Sequence, residues 1–414
     1  MNDVELYRQI LGITAPWTVA RVELALDRGA VEVFVEHADA AKFACPKCGT
    51  ECSVHDHTAE RTWRHLDTCQ YRTVLHARPP RIRCKEHGVL QAELPWAGPR
   101  SRFTLMFEGF AIDVLQATDV ANAAAILRIS WDEAFGIMER AVKRGLDRRG
   151  AVEIATIGID EKSPGKGQRM FTIVSDIKKR EVTWVGDGHG GETLDVYWKS
   201  RTPEQIDAVR RITMDMSSAY FGSTLRCVPG AAQMIVFDRF HVMQHASKAV
   251  DKVRRDEHFA MSREGESVLT GTRYMWLYGM ENVPEKYEER FAALRRVTTQ
   301  TGRAWMLKED LRSLWDMNDL GEARTWLSRW VSRARRSLLA PMRKLAGTIV
   351  DHRDNILTYL THRVTNATAE GLNSAIQAIK VRARGYRNRE NFKTAIYFHL
   401  GGLEMNPSLT AQAT

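Results

Sequence analysis

The hydrophobic pattern changes period along the chain, and each change marks an element or a domain. Val22, Leu24 and Leu26 alternate with polar residues, Asp27-Arg28-Gly29 interrupts, and Val31, Val33 and Val35 resume the alternation. That predicts a β-hairpin. Residues 103–149 switch to helical spacing. Thr118 or Asp119 is placed to cap an alanine-rich helix, Arg128-Ile129 breaks it, and Ser130-Trp131-Asp132-Glu133 is a capping box for the next. Short apolar runs at 154–159, 171–174, 182–185, 211–214 and 234–237 then predict strands. A turn falls at Asp176-Ile177-Lys178-Lys179, and helix is favoured over 191–210. Residues 241–365 read as mostly helical, with tryptophans at 276, 305, 315, 326 and 330, and Glu370 opens a further helical pattern.

The second half thus runs strand, strand, strand, helix, strand, helix, strand, a helical block and a last helix. An RNase H-like α/β core with a helical insertion has that order. A chain of 414 residues, 44% hydrophobic, can bury more than one core. Sixty Lys and Arg against 51 Asp and Glu give +9, a modest excess that favours a polyanionic partner only where the cations cluster. The acidic N-terminus lacks the pattern of a signal peptide, and no apolar stretch nears the ~20 residues needed to span a bilayer. A cytoplasmic, nucleoid-associated protein without membrane contact is expected.

Five of the six cysteines lie between positions 45 and 84. Cys45-Pro46-Lys47-Cys48 and Cys84-Lys85-Glu86-His87 form two ligand pairs whose soft sulfur and imidazole donors suit one tetrahedral Zn²⁺. Four protein ligands leave no open position, so that zinc is structural. Cys52, His55 and His57 are alternative ligands, and the strand-like run 72–75 fits the intervening part of a zinc ribbon. The helix-break-helix at 119–142 reads as a helix-turn-helix, with Arg128, Lys143, Arg144, Arg148 and Arg149 as phosphate-binding charge.

Asp160 ends the first apolar run of the core, Asp215 follows the run 211–214, and Glu370 lies on the last helix beside Asn373 and Gln377. Three carboxylates gathered by a fold can hold two hard cations about 3.5–4 Å apart. Gly371 weakens that helix, which points to close approach of substrate or strand. The clearest basic cluster comprises Lys380, Arg382, Arg384, Arg387, Arg389 and Lys393, with Tyr386 and Phe392 as flat surfaces for a nucleic acid. Asp238 is a rival second metal ligand, and His241 follows it on the same segment. The tail after Glu404 reads as disordered.

Assembled, these residues resemble the insertion-sequence transposases of the ISL3 family. The likeness rests on Cys-Pro-Lys-Cys-Gly at 45–49, Trp63-Arg64-His65-Leu66-Asp67, Pro80-Arg81-Ile82-Arg83-Cys84, Gly158-Ile159-Asp160-Glu161, Met214-Asp215-Met216-Ser217, Phe237-Asp238-Arg239-Phe240-His241, the run from Asn366 through Glu370 to Asn373, and Arg384-Gly385-Tyr386-Arg387-Asn388. The resemblance implies a multidomain α+β chain. Its parts are a hairpin and zinc ribbon (1–98), a helix-turn-helix (99–150), an RNase H-like core (151–243 and 365–404), a helical insertion (244–364) and a disordered tail (405–414). It implies a DDE enzyme that binds terminal inverted repeats and target DNA as a homodimer or larger. Asp160, Asp215 and Glu370 would hold two Mg²⁺, replaceable by Mn²⁺, for cleavage and strand transfer, while Asp238 and His241 position DNA. The alternatives are a DNA-binding regulator with an inert core and a metal-dependent nuclease without strand transfer.

Overall fold

The computed structural model describes residues 2–165, 167, 170–237, 239–296, 299–362 and 367–408, without the side chains of His362, Ala367, Ala369 and Glu370. It divides into two compact units, Met1–Gly150 with Leu403–Thr414, and Ala151–Gly402.

In the first unit α1 (Asp3–Ile10) precedes the expected hairpin of β1 (Trp17–Ala25) and β2 (Ala30–His37), turned by Gly29 in the left-handed region. Val31, Val33 and Val35 are buried, whereas Leu24 and Leu26 stay exposed at the tip. Six short strands follow: β3 (Lys42–Ala44), β4 (Glu51–His57), β5 (Arg61–Arg64), β6 (Arg72–Ala77), β7 (Pro80–Cys84) and β8 (Gly88–Gln91). They complete two sheets, β1-β2-β6-β5 and β3-β4-β7-β8. The run 72–75 is a strand, but not of the ribbon as expected. β6 pairs in parallel with β2, Ala30 opposite Arg72, and so extends the hairpin's sheet. Its alternation suits either sheet, and only the long-range pairing decides between them.

Three helices close this unit: α2 (Leu105–Ala117), α3 (Val120–Leu127) and α4 (Trp131–Arg148). Asp119 accepts the N–H groups of Ala121 and Asn122, Arg128 ends α3 in the left-handed region, and Ser130 and Glu133 cap α4 reciprocally. The tail corrects the sequence reading over 405–408. Met405 is buried, Arg144 Nε donates to Met405 O at 2.8 Å, and Arg148 Nη1 donates to Asn406 O at 2.7 Å. Residues 409–414 lie outside the described residues.

The second unit is built on β9 (Thr156–Lys162), β10 (Phe171–Asp176), β11 (Glu181–Asp187), β12 (Arg211–Met214) and β13 (Ile235–Phe237). The sheet order is β11-β10-β9-β12-β13, antiparallel through the first three strands and parallel from β9 onward. This is the RNase H-like arrangement. The region 191–210 is two helices, α5 (Gly191–Lys199) and α6 (Pro203–Asp207), because Thr202 caps a new start and Pro203 occupies its first turn. Next come α7 (Ser218–Cys227), α8 (Ala231–Met234) and the long α9 (Arg239–Arg263). The helical block continues with α10 (Glu285–Arg296), α11 (Gln300–Arg312), α12 (Leu320–Arg336), α13 (Ala340–Asp351) and α14 (Arg353–His362). Finally α15 (Ala367–Arg382) and α16 (Arg389–Leu400) return to the sheet, α15 packing against β9 and α16 against β11.

Trp276, Trp305, Trp315 and Trp330 are buried in the same apolar core as Ile157, Ile212, Val236 and Phe237. The helical block and the underside of the sheet therefore share one interior. Asn355 of α14 ties them further, its amide donating to Ala232 O at 2.8 Å and Ile235 O at 3.1 Å.

Candidate metal and nucleic-acid sites

The β3–β4 and β7–β8 ends bring Cys45, Cys48, Cys84 and His87 together, with all four ligand atoms within 4.8 Å of one another. Cys48 Sγ and Cys84 Sγ are 3.7 Å apart, and His87 Nδ1 lies 3.7 Å from Cys45 Sγ and 3.6 Å from Cys84 Sγ. A tetrahedron with Zn–S of about 2.3 Å and Zn–N of about 2.0–2.1 Å has edges of about 3.6–3.8 Å, so the donor set fits zinc. Hydrogen bonding with Thr50 holds the Cys48 thiol down to about 6, which favours the ligating thiolate at neutral pH. The alternative ligands are engaged elsewhere. The Cys52 thiol donates to Thr50 O at 3.3 Å, His57 Nε2 lies 2.7 Å from His37 Nε2, and His55 Nε2 lies 3.2 Å from an Arg83 nitrogen.

At the other site, β9 and β12 run parallel with Thr156, Ile157 and Gly158 opposite Arg211, Ile212 and Thr213. Asp160 lies on β9 two residues beyond that pairing and Asp215 directly follows the end of β12, near enough for its charge to act on Asp160. Burial pushes the Asp160 carboxyl above its ordinary range and Asp215 adds to the rise, opposed by the Glu161 N–H, His241 and Asn373. Its hydrogen-bond donors are neutral. Oδ1 accepts the Glu161 N–H at 2.7 Å, Oδ2 accepts the Asn373 amide, and Asp215 Oδ1 accepts the Ser217 N–H at 3.0 Å. Acids gathered this closely oppose each other's ionisation, and hard oxygen donors of this kind fit a divalent cation.

Glu370 belongs to α15, one turn before Asn373, and its side chain lies outside the described residues, as does all of Asp238. Lys162 Nζ donates to Asn373 O at 2.9 Å and Lys380 Nζ to Ser163 O at 3.3 Å, which fastens α15 along β9. The sequence reading passed over Glu161. Burial, then Asp215, pushes its carboxyl up as well, and only its place after Asp160 could have signalled it. His241 is near enough to act on Asp160, and His245, one turn further along α9, senses Asp215.

Comparison with known proteins bears on all three regions. Residues 157–396 match the ISL3 family model described as a transposase, which is more than half of the chain. The chain belongs to the ISL3 family of transposases. Residues 41–87 match the zinc finger of the IS204/IS1001/IS1096/IS1165 transposases, and 92–142 the helix-turn-helix of the ISL3 family. The transposase of insertion sequence IS1001 from Bordetella parapertussis is 27% identical over 387 residues, covering 92% of this chain and 95% of that protein. The transposase of IS1557 from Mycobacterium tuberculosis is 26% identical over 419 residues, covering 94% and 93%. As an ISL3 transposase the chain is a DNA-binding DDE protein and an enzyme of the polynucleotidyl transferase type. No helix among the described residues is long and apolar enough to cross a membrane.

The basic segment of this ISL3 transposase spans the end of α15, the connecting loop and the start of α16, rather than one helix face. Arg382, Arg384 and Arg387 are exposed, and Arg384 and Gly385 turn the loop through the left-handed region. Arg389, expected to contact DNA, is engaged within the chain. Its guanidinium donates to Asp187 Oδ1 at 2.6 Å and lies 4.6 Å over the Phe171 ring. Phe392 is fully buried and Tyr386 stacks on it with ring centroids 4.9 Å apart, so Phe392 offers no surface to a base. Three of the five residues expected to supply phosphate-binding charge near the helix-turn-helix are likewise committed. Arg128 bonds Gln70 O and Asp67, while Arg144 and Arg148 hold the tail. Gly371 meets no close neighbour among the described residues, since a Cβ there would find none of their atoms within 4 Å, so no described strand approaches it.

Proposed function

We propose that the chain binds the terminal inverted repeats of an insertion sequence, cleaves DNA at the element's ends and joins those ends to target DNA. Asp160, Asp215 and Glu370 are the metal ligands in this reading, holding two Mg²⁺ for which Mn²⁺ can substitute. The observation that carries it is the nearness of Asp160 on β9 to Asp215 at the end of the parallel strand β12, with Asn373 of the Glu370 helix bonded to Asp160. Bound divalent cations supply Lewis-acid activation of an attacking hydroxyl and stabilise the leaving oxygen.

The chain's own groups do the rest. Asn373 and the Glu161 N–H orient the Asp160 carboxylate, leaving the other lone pairs for a cation. Burial limits water at the Asp160 carboxylate and strengthens its field. Arg382, Arg384, Arg387 and Lys393 offer phosphate contacts at the end of the same helix and beyond it, with His241 nearer the acids. Cys45, Cys48, Cys84 and His87 hold one structural Zn²⁺ that keeps the ribbon folded. The working form is a homodimer or larger assembly on DNA in the cytoplasm.

The test is cleavage and joining of element-end DNA with Mg²⁺. Asp160→Ala, Asp215→Ala and Glu370→Gln are each expected to lose joining by at least about a thousandfold while still binding the DNA. Joining at the wild-type rate in any of the three refutes the assignment.

A further inference from the structure

Gly371 follows Glu370 directly, inside α15, where glycine costs helix stability relative to almost any other residue. Among the described residues nothing demands that cost, because a Cβ built there meets none of their atoms within 4 Å. The space beside it is a cleft of about 390 Å³ lined by Arg180, Thr368, Gly371 and Leu372. Arg180 comes from the β10–β11 turn, where Lys178, Lys179 and Arg180 stand in succession and exposed.

That turn is rigidly made. Asp176 Oδ1 accepts the N–H groups of Lys178 at 2.8 Å and Lys179 at 3.1 Å, and Arg180 takes a left-handed φ of +61°. Asp176 itself is buried, and the carboxyl of Glu181, the next acid along, rests against Gly402. Arg180 therefore lines the cleft, with Lys178 and Lys179 exposed on the same turn. Ile173 stands opposite Asp160 and β10 ends three residues later at Asp176. At about 3.3 Å per residue the turn lies roughly 10 Å from the acid pair, the rise of about three nucleotides along one DNA strand.

We propose that this cleft takes the phosphate backbone of one DNA strand a few nucleotides from the phosphodiester at the acid pair. Arg180 contacts a phosphate, and Gly371 leaves α15 without a side chain so that the backbone passes close to the helix. The site rests on the DNA-processing reading above but needs no divalent cation.

The test uses the zinc-loaded full chain without added magnesium, and fluorescence anisotropy of a labelled mixed-sequence duplex across a salt series. Arg180→Ala is expected to weaken binding by about threefold to tenfold and to lower the log–log salt slope by about 1. Gly371→Leu is expected to weaken binding by about tenfold with an unfolding midpoint at or above that of the wild type, since leucine is the better helix former. Binding with unchanged affinity and slope in either variant overturns the proposal. So does a lowered unfolding midpoint in Gly371→Leu, which would mean that the space is filled. The binding series reads the cleft without magnesium and the joining assay reads the acids, so the two readings fail separately.

Discussion

Acid should loosen the first unit through one histidine. His65 is 3% exposed, its Nδ1 lies 2.9 Å from Thr104 Oγ1, and Thr104 in turn caps α2 by accepting the Phe107 N–H at 3.2 Å. Burial, helped by the neighbouring Arg64 charge, holds its pKa down to about 4 from an ordinary 6.5. The unfolded chain therefore takes up the proton first as pH falls. The stabilisation is fully present above about pH 6.5, declines through the interval, and is gone near pH 4; that span is worth about 3 kcal/mol. Hydrogen exchange of peptides covering β5 and α2, followed between about pH 7 and pH 4 and corrected for intrinsic exchange, reads the loss directly. His65→Gln keeps a neutral polar side chain and should flatten the pH dependence, which also separates this effect from protonation of the zinc ligands. Parallel loss of protection in wild type and His65→Gln would refute the reasoning.

Two further outcomes follow from the sites. Cys84→Ser should abolish stoichiometric zinc by atomic emission and open residues 41–91 to protease, because a structural zinc contributes about 10–16 kcal/mol of apparent binding energy to the fold that holds it; retention of both would exclude the Cys₃His cluster as the metal site. Arg387→Ala should lower the salt slope of DNA binding by about 1, whereas Arg389→Ala should leave the slope alone and cost about 1 kcal/mol of stability through its Asp187 pair and Phe171 contact. Equal slopes in the two variants would remove the distinction drawn between them.

Local chemistry was the legible part of this chain. The Gly29 turn, the Asp119 cap, the Ser130–Glu133 capping box and the paired zinc ligands all sit where residue type and spacing put them, because each is decided within a few residues. The register of β9 and β12 was present in the sequence only as a difference of 55, whose meaning needs the parallel pairing. Partnership was illegible for the same reason. Arg72–Leu75 alternates correctly for either sheet, Phe392 looks like any aromatic beside cations until α16 packs on the core, and Arg144 and Arg148 read as free charge until residues 405–408 fold back on them. Asn373 shares a helix face with Glu370 by spacing alone, but its bond to Asp160 depends on where α15 lies.

The common interior of the five-stranded sheet and the helical block limits what can be done with this protein in the laboratory and in evolution. Excising residues 244–364 to obtain a minimal nuclease would strip Trp276, Trp305 and Trp330 from Val236 and Phe237 and leave the Ile235 carbonyl without Asn355. The product would be a sticky sheet, not a smaller enzyme. Chimaeras between relatives should therefore exchange strands and block together, and drift in one should be answered by compensating change in the other.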